Sequence, residues 1–386
     1  MHILEIPSFF PPYGGEFCLE QSKALKALGH EVRILSNVQL SIKQSLREFA
    51  CLPNGRWWET MDGVDAYRSY QRGIPKVIRP NVRRWVSIVE SMFADYVGQY
   101  GKPDVLHAHC AKWAGYAAML IGGKYGIPYV ITEHLPKEIF QAEFGTSPSG
   151  VWQIPLLRES YQKAANVIMV SEELADDLAC YFAKDYRMTT VSNMIDVDFY
   201  AYRERQPLKN RSFCFCCPAI YVERKGYDVL FEAFDRLVRN GADSRLVIAG
   251  RGTDGKDCKA RVSTLVSKDR ITCLGFLKKP QIRQMLYESD AMVLATRGES
   301  QGLVLLEAMS TGIPVISTEA IPRSVRMKHG AYFVPVDDVG ALEAQMRKMM
   351  DMPAVEGKEL SLQVRRCAAP QIVAAQIERV LLSSLK

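Results

Sequence analysis

Glu299 and Glu307, with seven residues between them, bracket the most informative stretch of the chain, GESQGLVLLEAMSTGIPVIST at 298–318. Glu307 sits among Val304, Leu305, Leu306, Ala308 and Met309, where a carboxylate is unfavourable unless it is hydrogen-bonded. A ribose diol, with two hydroxyl donors, would satisfy it. So would a structural partner such as an arginine or local backbone. Ser300 is a candidate N-cap, and Gly312 followed by Pro314 ends the segment, so a short helix is expected over 302–311. Its free amides at Gln301, Gly302 and Leu303 would face a phosphate, and Gly302 would let that phosphate come close. His107 and His109 end the run DVLHAH two residues apart, hence on one face of a strand. A neutral imidazole there can accept from a hydroxyl or stabilise developing charge. Zinc needs three or four ligands, and His2, His30, His134 and His329 show no ligand spacing among themselves; no metal is expected.

Two further signals are weak taken alone. Gly14-Gly15 marks a tight turn. Lys225, in ERKGYDVL, is either a solvated loop lysine or a compact charge held for a phosphate. The ten cysteines contain no CxxC pair, and Cys214, Cys216 and Cys217 sit in the apolar run SFCFCCPAI. Neighbours along one strand point to opposite faces and cannot converge on a metal, so these read as small buried hydrophobes.

These groups must be positioned by short apolar runs alternating with longer amphipathic stretches, the mark of a parallel sheet covered by helices. One series of strands is expected at His2–Ile6, Glu31–Ser36, Val105–His109, Tyr129–Thr132 and Val167–Val170. A second is expected at Phe213–Cys217, Arg245–Ala249, Ile271–Leu274, Ala291–Ala295 and Pro314–Ser317. The polar, aperiodic stretch Asp198–Arg211 between them reads as a linker. Residues 1–200 and 201–368 are therefore expected to form two doubly wound α/β domains. The amphipathic stretch 369–386 is expected to form a last helix. In such sheets ligands bind beyond the carboxyl ends of the strands, which is where 298–303 and His109 would fall.

The 386 residues, 48% hydrophobic, suffice for two cores and exclude dominant disorder. Basic and acidic residues number 22 and 23 in residues 1–205 but 27 and 20 in 206–386, so the second half suits a small polyanion. Standard nucleic-acid reader motifs are missing. No apolar run approaches the roughly 20 residues needed to span a bilayer. The opening MHILEIPSFFPPYGGE lacks a basic leader region and carries Glu5, so it reads as a strand of a cytoplasmic protein. Arg68, Arg72, Lys76, Arg79, Arg83 and Arg84, with Tyr67, Tyr70 and Trp85, make an acid-free basic stretch. It reads as a solvated face, with peripheral contact to anionic headgroups at the inner face of the plasma membrane as the functional alternative.

The stretch at 298–318 resembles the Glu-x7-Glu motif of retaining glycosyltransferases of family 4, which have the GT-B fold. PPYGGEFCLEQSKALKALGHEV, DVLHAH, IPYVITEH, ANVIMVSEEL, ERKGYDVLFEAF, RLVIAGRG and ITCLGF each resemble a family segment, in the family's order. The resemblance implies two Rossmann-like domains facing a central cleft, with the terminal helix packed back on the N-terminal domain. It implies that Glu299 touches the donor sugar, Glu307 holds the ribose, Lys225 neutralises the diphosphate and Gly14-Gly15 lets backbone approach that diphosphate. It makes His109 the active-site histidine, with His134 on the acceptor side together with Arg83 and Arg84. Phe276 is implicated in donor choice. The resemblance further implies a nucleotide diphosphate sugar as donor and a glycan or lipid-linked hydroxyl as acceptor, in bacterial surface polysaccharide synthesis, with fixed groups standing in for a metal or other cofactor.

One departure matters. Many members carry Gly-Arg-Leu about five residues before the lysine, whereas this chain has Ala219-Ile220-Tyr221. Arg224 or Arg251 would have to replace that guanidinium. The alternatives are a non-catalytic GT-B subunit partnering another glycosyltransferase, or a GT-B nucleotide-sugar hydrolase or epimerase.

Overall fold

Strand formation follows the β-branched and aromatic runs. In the computed structural model, which describes residues 1–41, 46–74, 77–145, 148–204, 211–352 and 356–386, fourteen strands form two sheets. The first unit comprises Met1–Met194 and Pro370–Lys386, the second Ile195–Ala369. The strands of the first are β1 His2–Pro7, β2 Glu31–Ser41, β3 Arg56–Met61, β4 Val64–Gly73, β5 Val105–His109, β6 Tyr129–Glu133, β7 Asn166–Met169 and β8 Met188–Thr190. Their order is β3-β4-β2-β1-β5-β6-β7-β8, parallel except for the β3–β4 hairpin. In the second unit, β9 Phe213–Pro218, β10 Ser244–Ala249, β11 Ile271–Cys273, β12 Ala291–Leu294, β13 Val315–Thr318 and β14 Ala331–Val334 make an all-parallel sheet, β11-β10-β9-β12-β13-β14.

Every residue of β5, β6, β9, β12 and β13 is buried, as expected for parallel strands covered on both faces. Cys214, Cys216 and Cys217 lie in that core as free thiols. The terminal helix Pro370–Ser383 belongs to the first unit, where Val373, Ala374, Ile377, Val380 and Leu381 pack with Ile3, Leu25, Val32 and Val105. Its Glu378 meets His30 at 2.7 Å. Among the described residues no helix is long and apolar enough to cross a membrane.

The ten expected strands are present, most within a residue or two of the expected ends, although β2 runs on to Ser41. The sequence reading omitted β3, β4, β8 and β14. The hairpin had a signal, Asp62-Gly63 with φ of 45° and 79°, joining two strand-forming runs. The hairpin corrects the basic-face expectation. Arg68 is buried in β4, paired with Glu59 at 2.6 Å and donating to the Pro11 carbonyl at 2.7 Å. Arg72 donates to the Leu52 carbonyl and to Asn54, each at 2.7 Å. Tyr67 stacks on Trp58, and Trp85 is buried with its indole N–H on the Asn37 carbonyl. Arg79, Arg83 and Arg84 are exposed on the first turns of the helix Ile78–Tyr100, and Lys76 lies outside the described residues. In the expected linker, residues 205–210 lie outside the described residues, but Tyr200 is buried in the second unit's core.

Candidate active site

Leaving aside the β3–β4 hairpin, each sheet as described has one place where the chain reverses its direction of growth. In the second unit it grows from β9 to β10 and β11, then returns to lay β12 on β9's other side. The loops leaving β9 and β12 splay apart there, and a crevice opens at the strands' carboxyl ends. Those loops carry the expected donor residues. A short 3₁₀ turn, Glu223–Lys225, presents Arg224 and Lys225, and Glu299 follows β12. The Lys225 ammonium bonds Glu299 Oε1, Arg224 reaches Oε2 at 3.3 Å, and the Thr296 hydroxyl donates to Oε1 at 3.1 Å. Glu299 and Lys225 are nearly buried, with side chains 9% and 12% exposed. A mostly desolvated carboxylate is thus held by two cations and a hydroxyl, and an incoming anion would compete with it for both cations.

The helix after Glu299 spans Leu303–Ser310 and begins later than expected. Its N-cap is Gly302, at φ +85°, rather than Ser300. A left-handed residue was needed to turn the chain into the helix, and only glycine adopts it without strain. Gln301 and Gly302 are buried and Leu303 is half-buried. Glu307, one turn and a half along, bonds the Tyr200 hydroxyl. Burial lifts its carboxyl to about 7, against smaller opposing effects of Lys279 and of the Tyr200 bond. Arg297 turns away from this cluster and braces the loops, bonding Asp228 and Asp337 at 2.7 Å and the Glu223 carbonyl at 2.6 Å. Arg251 lies over the Phe276 ring, 5.7 Å from its centroid. Phe276 and Ile220 are exposed, at 63% and 43%.

The first unit's reversal lies between β1 and β5, where register sets Glu5 beside His107 and Pro7 beside His109. All three ionisable groups are wholly buried. Glu5 Oε2 lies 2.9 Å from His107 Nδ1 and 2.7 Å from His109 Nε2. His107 Nε2 meets the Thr132 hydroxyl at 2.7 Å, and His109 Nδ1 meets His134 Nε2 at 3.1 Å. Burial alone would raise Glu5, but the two imidazoles outweigh it and hold the carboxyl down at about 2. Burial keeps His109 and His134 below the usual imidazole range, His134 far below. The Phe17 ring stacks on His134 at 3.7 Å. Glu5, His107 and His109 offer three potential ligand atoms close together. Their 2.7 and 2.9 Å spacings are those of shared protons; ligands about 2.0 Å from a tetrahedral ion stand roughly 3.3 Å apart.

Gly14 and Gly15 precede the helix Glu16–Ala27 with φ of 92° and 82°. A Cβ on Gly15 would stand 2.1 Å from the Phe9 carbonyl oxygen, so the loop is packed on backbone. Beside this loop a cavity of about 610 Å³ is lined by Phe9, Trp85, Trp113, Gln39, Asn81 and Gln153, among others. The buried Gln153 Oε1 has no hydrogen-bond partner among the described residues. Arg83, with Arg79, rims a second cavity of about 390 Å³ floored by Val82, Val86, Leu120 and Leu156. Arg84 lines neither.

Sequence reasoning missed Glu5, Thr132, Thr296, Tyr200 and the cavity. Glu5 alone had a signal, a charge inside an apolar strand. One Asp-x-Asp pair, Asp196 and Asp198, was overlooked as well. Asp196 caps the local turn through the Phe199 amide at 2.8 Å, and Asp198 pairs with Arg365 at 2.8 Å.

Two doubly wound units, each with a polar cluster at its reversal point, define a GT-B protein. Anabaena HepE, solved in complex with UDP and glucose, has the same fold, with a TM-score of 0.73 over 99% of this chain and 100% of that one at 16% identity. Residues 14–199 match the model for Glycosyltransferase Family 4 and residues 211–352 that for Glycosyl transferases group 1. The chain belongs to this family. It is 28% identical over 236 residues to an alpha-D-kanosaminyltransferase of Streptomyces kanamyceticus, covering 55% of this chain and 58% of that protein. It is 26% identical over 346 residues to the putative teichuronic acid biosynthesis glycosyltransferase TuaC of Bacillus subtilis, covering 83% and 81%. The first of these alignments thus spans less than two thirds of the relative's length.

Proposed function

We propose that this protein transfers a sugar, with retention of anomeric configuration, from a nucleotide diphosphate sugar to a hydroxyl of a glycan or lipid-linked acceptor. The observation that carries the reading is the gathering of Lys225, Arg224 and Glu299 at the reversal point of the second sheet, with Glu307 on the helix that follows. Departure of a nucleoside diphosphate develops negative charge, which two cations and the amides around Gly302 would stabilise without a metal. Glu299 would release its cations to the diphosphate and orient the sugar. Glu307 would accept from the ribose. Phe276, open to a planar ring and backed by Arg251, would meet the base. HepE was solved with UDP and glucose, which supports a uridine donor as the first to try.

On the first unit, the amide- and tryptophan-lined cavity suits a sugar ring. The apolar cavity rimmed by Arg79 and Arg83 suits a lipid-linked phosphate. TuaC, a putative teichuronic acid biosynthesis glycosyltransferase, supports a surface-polysaccharide setting, and a place at the inner membrane face would suit a lipid-linked acceptor. The test is thermal stability with UDP, GDP, ADP and CMP at saturation. Ligand at about 100 times its Kd adds about 2.7 kcal/mol, a few degrees for a chain of this size. Release of UDP from UDP-glucose with candidate acceptors then reads the reaction. The exposed Ile220 favours one second reading, a non-catalytic partner subunit, which a chain with no response to any nucleotide would support.

A further inference from the structure

Both ring nitrogens of His109 are occupied, so the histidine that the sequence singles out has no free atom for a substrate. The protonation pattern around it follows from Glu5. An ionised carboxylate only accepts, so His107 must carry its proton on Nδ1 and His109 on Nε2. Burial disfavours the charged form of His109, so its other nitrogen is then an acceptor. His134 Nε2–H donates to His109 Nδ1 at 3.1 Å, and the Thr132 hydroxyl meets His107 Nε2 at 2.7 Å. With its Nε2 protonated, His134 is left with a lone pair on Nδ1. That atom is buried and has no hydrogen-bond partner among the described residues, although the Asn193 side chain lies near enough to interact with a charged ring. His134 follows β6, at the carboxyl end of the strand, and Phe17 covers its other face.

We propose that Glu5 is a positioning residue: it fixes one tautomer along Glu5–His109–His134, so that His134 Nδ1 is the acceptor offered to a substrate hydroxyl. This rests on the transferase reading above. No proton need reach Glu5, which acts by charge and by orientation, as the carboxylate of a hydrolase triad does. Glu133, the other buried carboxylate nearby, is not part of the relay, because the amides of Ala111, His134 and Leu135 and the Tyr161 hydroxyl already saturate it. Two buried thiols also lie nearby: Cys18, pushed up by burial and by Glu5, and Cys110, pushed up by burial and by Glu133.

Imidazole ¹⁵N spectra of the wild-type chain test the tautomers whether or not any donor turns over. The expected pattern is Nε2–H on His109 and His134 with Nδ1–H on His107; Nδ1–H on His109 overturns the proposal. Turnover of UDP-glucose, or of the sugar nucleotide giving the largest thermal shift, tests the role. Glu5→Gln removes the anion that holds both rings and sets an amide donor where Oε1 lies 3.2 Å from His107 Nδ1. It should lower kcat by about tenfold or more while leaving the donor's KM within about twofold. Its acid limb should move to lower pH, since removal of the anion disfavours protonated histidine. Glu5→Asp, which keeps the charge, should recover part of kcat and return the limb toward wild type. An unchanged kcat, or an equal loss at every pH in both variants, refutes positioning. A wild-type chain with the expected spectra but no turnover of any donor refutes the transferase reading and the substrate role, while the tautomer assignment stands.

Discussion

Replacing Glu307 by Gln should make the protein more stable and a poorer nucleotide binder at the same time. Burial lifts the Glu307 carboxyl to about 7, against about 4.3 for a free glutamate. The folded state therefore binds this proton more tightly than the unfolded state. Its contribution to stability is fully present below the unfolded value and is lost as pH rises to about 7. The shift corresponds to about 3 kcal/mol at about 1.36 kcal/mol per unit. Glutamine stays neutral and can still accept from Tyr200. The variant should match wild type near pH 4 and exceed it above about pH 7 by up to about 3 kcal/mol, roughly 5–10 °C in the melting temperature of a domain this size. Nucleotide affinity should move the other way. Hydroxyl donors favour the ionised carboxylate, so wild-type affinity for UDP should be about tenfold weaker at about pH 6 than at about pH 8. The Glu307→Gln variant should bind weakly with no such slope. Scanning calorimetry at about pH 4, 6 and 8, with titration calorimetry at the last two, reads both effects. Equal melting temperatures at the highest pH, or a wild-type UDP affinity flat across the upper two, would refute the reasoning.

Three other outcomes follow from the geometry. Lys225→Met should weaken UDP about 10- to 100-fold, the worth of a charged hydrogen bond, and leave uridine unaffected; an equal loss for both would place the lysine away from the diphosphate. Gly15→Ala should destabilise by about 1–3 kcal/mol, read from urea melts, because the added carbon meets the Phe9 carbonyl at 2.1 Å in a left-handed backbone; a loss under about 0.5 kcal/mol would contradict the packing. Ending the chain at Ala369 should remove about 5 kcal/mol or more of apolar burial by baring the surface covered by Val373, Ile377, Val380 and Leu381. A well-folded truncated chain with a sharp melt would show that the helix is dispensable.

Much of the fold was legible because parallel strands buried on both faces need continuous apolar runs, and those runs stand out in sequence. Val105–His109 and Phe213–Cys217 were readable for that reason. The edge elements were not: β8 and β14 are short and only partly buried, and the β3–β4 hairpin carries arginines that look like a solvated face. The arginines of β4 are satisfied by Glu59, Asn54 and backbone carbonyls up to 57 residues away in the chain, and such partners have no signature in local spacing.

The chemical inventory was equally a matter of sequence. Glu299, Glu307, Lys225, His109 and the paired glycines are set by residue type and by spacing along single loops and helices. Their state was decided by tertiary structure. Glu299 and Lys225 lie 74 positions apart and form an ion pair only because β12 is laid against β9. Glu307 is destabilised as an anion only because a folded core removes water from it. Glu5 becomes the anchor of two histidines only because β1 pairs with β5 across about a hundred residues. Periodicity along a chain determines which face a side chain takes; dielectric surroundings and proton partners come from the neighbours that packing supplies.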